Sequence, residues 1–342
     1  MRRGCTETGR GPRWAGVLAA AVLVSSFGVT ASVAAGGEPP PPTRMPSDPG
    51  SESAAGAGPR AGAPAGSVAA AAPVEAMARL AAVGASVTHG FYAQLLVEAG
   101  GRMQPANLDL ADALAAVLGG DGQVEAAGSV MFFRDPDRWG PELLRQAEAS
   151  RPTSVVAVDF LFWYGYGSTG HRPGTDADAA ARRERLERGL ALLADLERRI
   201  PGHLLVGDLP DMSGAVGRML SAGQVPDQAT RRSLNARIAA WVDERPSAIL
   251  VPLSGTMQRL LAGERFGVPE AVPLLKPDRL HPTADGLVVV AREIVSRLVS
   301  VRGPSAAPEA AADHEVAIGR LRARLAARIE AAAQKDAPAG AG

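Results

Sequence analysis

Apolar residues along the chain fall into two alternating kinds of run. Residues 80–86, 124–133, 154–163, 203–209 and 248–253 are short runs with little polar interruption. Between them, apolar residues recur every three or four positions among charges. Residues 176–199, with Leu186, Leu190, Leu193 and Leu196, show this spacing, as do 227–243 and 283–299. The first kind reads as strands buried on both faces, the second as helices lying on a sheet. Shorter helices are expected at 92–99 and 141–149. Five such strands with helices between them predict an α/β fold, a three-layer α/β/α sandwich around a five-stranded parallel sheet of the flavodoxin-like type.

The flanks carry a different pattern. Residues 36–73 are mostly Gly, Pro, Ala and Ser, including Glu38 and the four prolines that follow it. Such a stretch buries too little apolar surface to offset its ordering entropy and reads as a linker. Before it, Arg2, Arg3, Arg10 and Arg13 precede an uncharged segment, 14–35, that ends in small residues. Residues 1–35 therefore read as an export signal, with an uncleaved membrane anchor as the rival. Both place the bulk of the chain outside the cytoplasm, periplasmic or extracellular. The globular domain is expected over 74–303. Beyond it, 304–342 form a tail with an amphipathic helix, Ile318, Leu321, Leu325 and Ile329 on one side and arginines on the other. A solvated or weakly docked helix and a partner or envelope contact are the two readings of it.

Charge changes the picture by exclusion. The 36 basic residues balance 36 acidic ones, so bulk charge points to no nucleic-acid partner. The single cysteine, Cys5, lies before the domain, which removes disulfides and cysteine-held metal from it.

Two short stretches carry candidate chemistry. Ser86 closes the first apolar run, in Gly84-Ala85-Ser86-Val87-Thr88-His89-Gly90. Ligands of open α/β sheets sit beyond the carboxyl ends of the strands. A helix following directly would aim its N–H groups near the serine oxygen; an ordinary βα turn is the other reading. The second stretch is Asp278-Arg279-Leu280-His281-Pro282, leading into the last helix of the domain, with Pro282 suited to its first turn. Asp278 can bond one ring nitrogen of His281 and leave the other free for a serine. His89 lines the site or starts the helix rather than acting as base.

Together these stretches resemble the SGNH/GDSL hydrolase family. The first matches its Gly-x-Ser block and the second its Asp-x-x-His-Pro block, with 206–214 and 234–241 similar to intervening segments. The resemblance implies a serine hydrolase that needs no cofactor and no metal, with Ser86 as nucleophile, His281 as base and Asp278 as its orienter. Gly128 and the Ser86 backbone would supply oxyanion donors. The third apolar run departs from the family: Asp159 and Leu161 or Phe162 stand where a Gly-x-Asn pattern is expected, so the side-chain amide donor has no residue. Asp159 is then either a protonated substitute donor or a bond to loop backbone. His89, Asp159, Phe162 and Trp163 are candidate pocket residues. The implied activity is hydrolysis of a small-molecule or polysaccharide ester; a degenerate module that binds an envelope glycan or lipid is the alternative.

Overall fold

Five parallel strands hold the centre of the fold, in the order β4-β1-β5-β6-β7. They are β1 (Arg79–Gly84), β4 (Gln123–Gly128), β5 (Ser154–Ala157), β6 (Leu204–Gly207) and β7 (Ala248–Val251). The structure is a computed structural model describing residues 79–119, 123–300 and 313–336. The export signal or anchor and the 36–73 linker lie outside the described residues. No helix among the described residues is long and apolar enough to cross a membrane.

The strands are apolar throughout because both faces are covered. Along β1, Leu80 and Ala82 point into one hydrophobic layer while Ala81 and Val83 point into the other. On the first face lie α1 (Leu110–Leu118), α7 (Ala284–Ser300) and α8 (His314–Asp336). On the second lie α2 (Pro136–Ala149), α4 (Asp176–Glu197) and α5 (Gln228–Asp243). The result is the expected α/β/α sandwich. Shorter helices α3 (Phe162–Gly165) and α6 (Leu253–Leu261) follow β5 and β7.

Several local expectations are corrected. Residues 92–99 form no helix: β2 (Gln94–Ala99) pairs antiparallel with β3 (Arg102–Asn107). The cause is Gly100-Gly101, which takes positive φ at both positions (58° and 72°), as a tight two-residue hairpin turn requires. The third apolar run leaves the sheet at Ala157, because 158–166 turn into buried loop and α3. Helix α1 carries a signal of its own, Asp109 and Asp112 in a reciprocal capping box. The last helix of the domain is capped by Thr283, whose hydroxyl accepts from Gly286 N at 3.2 Å, so Pro282 precedes the cap rather than filling the first turn.

The C-terminal helix is not weakly docked. Ala317, Ile318, Leu321 and Leu325 are at most 3% exposed within the core layer of α1 and α7. On the opposite face, Arg182 of α4 is fully buried. It pairs with Asp178 at 3.0 Å and donates to the carbonyls of Gly165, Gly167 and Gly223.

Candidate active site

The chain runs from β1 to β4 on one side and from β5 to β6 on the other. The crevice of a doubly wound sheet opens where neighbouring connections diverge in this way. Ser86 follows β1 and Asp159 follows β5, so the topology brings both to that crevice.

The serine does not precede a helix. Residues 85–92 wind into a tight turn, with His89 N donating to Ala85 O (3.0 Å) and Phe91 N to Ser86 O (2.9 Å). Asp159, 5% exposed, holds this turn from beneath. Its Oδ2 accepts from Val87 N (2.8 Å) and Thr88 N (3.1 Å), and its Oδ1 lies 2.5 Å from Thr88 Oγ1. Of the two readings of Asp159, the bond to loop backbone is the one its geometry fits. Its oxygens face the loop that carries the serine. Burial pushes its pKa up, against the pull of these hydrogen bonds. A proton on Oδ1 would therefore point at Thr88, not at a substrate.

His281 and Asp278 reach the serine from a loop 195 residues further on. His281 Nε2 lies 3.0 Å from Ser86 Oγ, and its Nδ1 lies 2.9 Å from Asp278 Oδ2. Asp278 Oδ1 accepts from the backbone N–H of Leu280 (2.9 Å) and His281 (3.0 Å). Arg279, between them, takes a positive φ of 55°, which folds the loop back over the carboxylate. Burial raises the Asp278 pKa, but the bonds from His281 and Leu280 outweigh it and hold the group below the usual carboxylate range. Burial lowers the His281 pKa, with Asp278 opposing, so the ring is neutral near pH 7 and able to take a proton. Phe91 packs on the imidazole at 4.5 Å between centroids, and Lys276 Nζ bonds Phe91 O. Neither residue was singled out from the sequence. Their roles depend on two loops meeting, which no local spacing announces.

Beneath Ser86 lies a narrow cavity of about 60 Å³. Its walls include Val158, Phe162, Met212, Met257 and Leu260, with Asp159 and Asp208 among the few polar groups. Asp208 accepts from Ser254 N at 2.7 Å, and burial pushes its pKa up. Of the four pocket candidates, Asp159 and Phe162 line this cavity. Trp163 does not: it packs in the core against Phe133 and Phe162. His89 is exposed and lines a separate outer groove. Gly128 ends β4 in register with Gly84, and a side chain there would strike His89 N at 2.6 Å, so the Ser86 loop rests on it. No Asn or Gln side chain lines the cavity.

The arrangement sets a hydroxyl beside an imidazole, the imidazole against a carboxylate, and an apolar chamber next to the hydroxyl, a grouping that can support nucleophilic chemistry. Neither a family model nor a curated protein matches the chain. Several solved structures are similar to it. An acetylxylan esterase from Geobacillus stearothermophilus is 14% identical, with a TM-score of 0.37 over 66% of this chain and 96% of that one. A protein of Slackia heliotrinireducens, provisionally named an SGNH hydrolase, is 16% identical, with a TM-score of 0.36 over 64% and 98%. A gut microbial diltiazem-metabolizing enzyme is 10% identical, with a TM-score of 0.43; the match covers 66% of this chain but only 47% of that one. At these scores the fold assignment stands on the strand order and register of the chain itself.

Proposed function

We propose that the protein is an exported serine hydrolase that cleaves carboxylic esters of small acyl groups. The observation that carries this reading is the relay from Ser86 Oγ through His281 to Asp278, at 3.0 Å and 2.9 Å. His281 takes the serine proton as Ser86 Oγ attacks the ester carbonyl carbon. The tetrahedral intermediate collapses, the alcohol leaves with the proton from His281, and an acyl-enzyme remains. Water, activated by the same imidazole, then releases the acid. The backbone N–H of Ser86 is the proposed oxyanion donor; Gly128 does not join it, because Ser129 N donates to Gly84 O at 3.2 Å and the N–H before it on edge strand β4 therefore faces away from β1. Asp159 engages Val87 and Thr88 and leaves the Ser86 N–H out of its grasp. Without a side-chain amide, turnover is expected about 10²- to 10³-fold below that of a complete oxyanion hole. The cavity of about 60 Å³ suits a short acyl chain such as acetyl rather than a fatty acid.

A fluorophosphonate probe tests the reading. It should label the wild-type protein at Ser86 and fail on Ser86→Ala and His281→Ala. A folded wild-type protein that excess probe leaves unlabelled would turn the assignment to the non-catalytic binding module, which the missing amide favours.

A further inference from the structure

A side chain outside the relay bridges the two loops of the site. Lys276 precedes Asp278 and His281 on their own loop. Its backbone N–H donates to His281 O at 2.9 Å, across a short antiparallel ribbon in which Leu275 bridges Pro282 and Thr283 N meets Leu274 O at 3.1 Å. Its side chain leaves that ribbon for the other loop, where Nζ donates to Phe91 O. Phe91 N donates in turn to Ser86 O at 2.9 Å, and Ser86 Oγ faces His281 Nε2 at 3.0 Å. Ser86, Phe91, Lys276 and His281 therefore close a ring of hydrogen bonds that runs through both loops.

Asp159 holds the Ser86 loop at Val87 and Thr88. Lys276 holds its far end, at Phe91, through a charged donor, whose hydrogen bonds are about twice as strong as neutral ones. The same tie seats the Phe91 ring on the imidazole, at 4.5 Å between centroids. Lysine is rare in this chain: of its 36 basic residues only Lys276 and Lys335 are lysines. A lysine delivers a compact charge on a flexible stem, suited to a single carbonyl, where a guanidinium presents a planar fork. The half-buried ammonium lies 5.9 Å from the centre of the Tyr92 ring and meets no carboxylate at ion-pair distance among the described residues. Its charge is therefore not cancelled by a direct partner.

Resting on the hydrolase reading above, we infer that Lys276 is a positioning residue of this site: it fixes the register between the Ser86 and His281 loops and sets an unpaired positive charge near the imidazole. Burial is the largest influence on the His281 ring and favours its neutral form. Three charged groups act on it besides. Asp278 on its own loop and Asp159 beyond β5 favour the charged ring, and Lys276 opposes them. Burial lowers the pKa of Lys276 itself, with Asp278 opposing. Removal of the lysine charge should therefore raise the His281 pKa. Removal of its bond to Phe91 should loosen the approach of Nε2 to Ser86 Oγ.

The test follows the ring protons of His281 by NMR across pH in the full chain, together with the rate of fluorophosphonate labelling on the alkaline side of that titration. His281→Ala identifies the resonance among the five histidines. The His281 midpoint should rise in Lys276→Met and in Lys276→Gln, and hold its wild-type value in Lys276→Arg, which keeps the charge. Labelling should slow about tenfold or more in Lys276→Met, since misplacement by about 1 Å costs about 10² in rate. Thermal melts identify any variant that has lost its fold, and each neutral variant stands in for the other. A midpoint that the folded neutral variants leave in place, or that Lys276→Arg raises equally, overturns the inference. So does labelling of those neutral variants within about twofold of wild type. Failure of the hydrolase reading shows separately, as wild-type protein that the fluorophosphonate does not label while the His281 midpoint still answers to Lys276.

Discussion

Asp159 offers the sharpest separation of causes, because alanine and asparagine at this position make opposite statements. In the native protein it meets three groups of the loop that carries Ser86. Asparagine can keep all three: its oxygen accepts from Val87 N and Thr88 N, and its amide donates to Thr88 Oγ1. Alanine keeps none and strands two backbone N–H groups. A buried donor left unmet costs about 1–3 kcal/mol, so the sum is about 2–6 kcal/mol. Removal of a carboxyl that burial already disfavours offsets part of this, leaving about 2–4 kcal/mol. For a domain of this size that is a Tm lower by roughly 5–15 °C. The loop carries Ser86, and misplacement by about 1 Å costs about 10² in rate, so kcat should fall by that much in Asp159→Ala. Asp159→Asn should stay within about 1 kcal/mol and about tenfold in kcat.

The pH dependence of the same pair adds a sign. Burial raises the native pKa of Asp159. The folded state therefore holds this proton more tightly than the unfolded chain does. That contribution is complete below the unfolded pKa and is lost as pH climbs through the raised native value. Scanning calorimetry across pH should show wild-type Tm falling relative to Asp159→Asn as pH rises. If Asp159→Asn proves as damaging as Asp159→Ala in both Tm and kcat, the loop is held by charge and not by the acceptor geometry.

Ser86→Ala and His281→Ala should each remove most ester hydrolysis, and the double variant should lose little more, because both act in one step; losses that multiply in steady-state assays would refute a shared relay. Asp278→Ala should retain more activity than either. The depressed pKa of His281 predicts that kcat/KM holds steady as pH falls through the ordinary imidazole range and drops only below it; an acid limb above that range would contradict a buried, neutral base. Arg182→Met should cost about 3–5 kcal/mol in urea unfolding, because it leaves Asp178 buried without its partner; a change under 1 kcal/mol would mean that water reaches the pair.

What the sequence made legible follows from where each signal resides. Strands β1, β5, β6 and β7 were readable because burial on both faces writes a continuous apolar run. Residues 94–99 were misread because Leu95, Leu96 and Val97 fit a helix face as well as a strand, and only Gly100-Gly101 settles the matter. Ser86, Asp278 and His281 could be found because each sits in a short local pattern, and the structure brings these three together. The engagement of Asp159 could not be chosen over its alternative, since its partners are backbone N–H groups 71 and 72 residues away. The docking of α8 was equally hidden: its apolar stripe was visible, but the surface that receives it was not.

That docking sets an order on the making of the protein. Arg328 meets Asp112 across 216 residues, and His281 meets Ser86 across 195. Contacts so far apart in the chain form late, after much loop entropy has been lost. A chain emerging from its N-terminal end carries Ser86 early, then the sheet, and His281 only after the last strand. Helix α8, which covers the first face, follows later than both. Until then α1 and the β2–β3 hairpin expose the surface that α8 covers, a surface open to chaperones and to aggregation. The meeting of Ser86 with His281 therefore waits until all five strands of the sheet have been made.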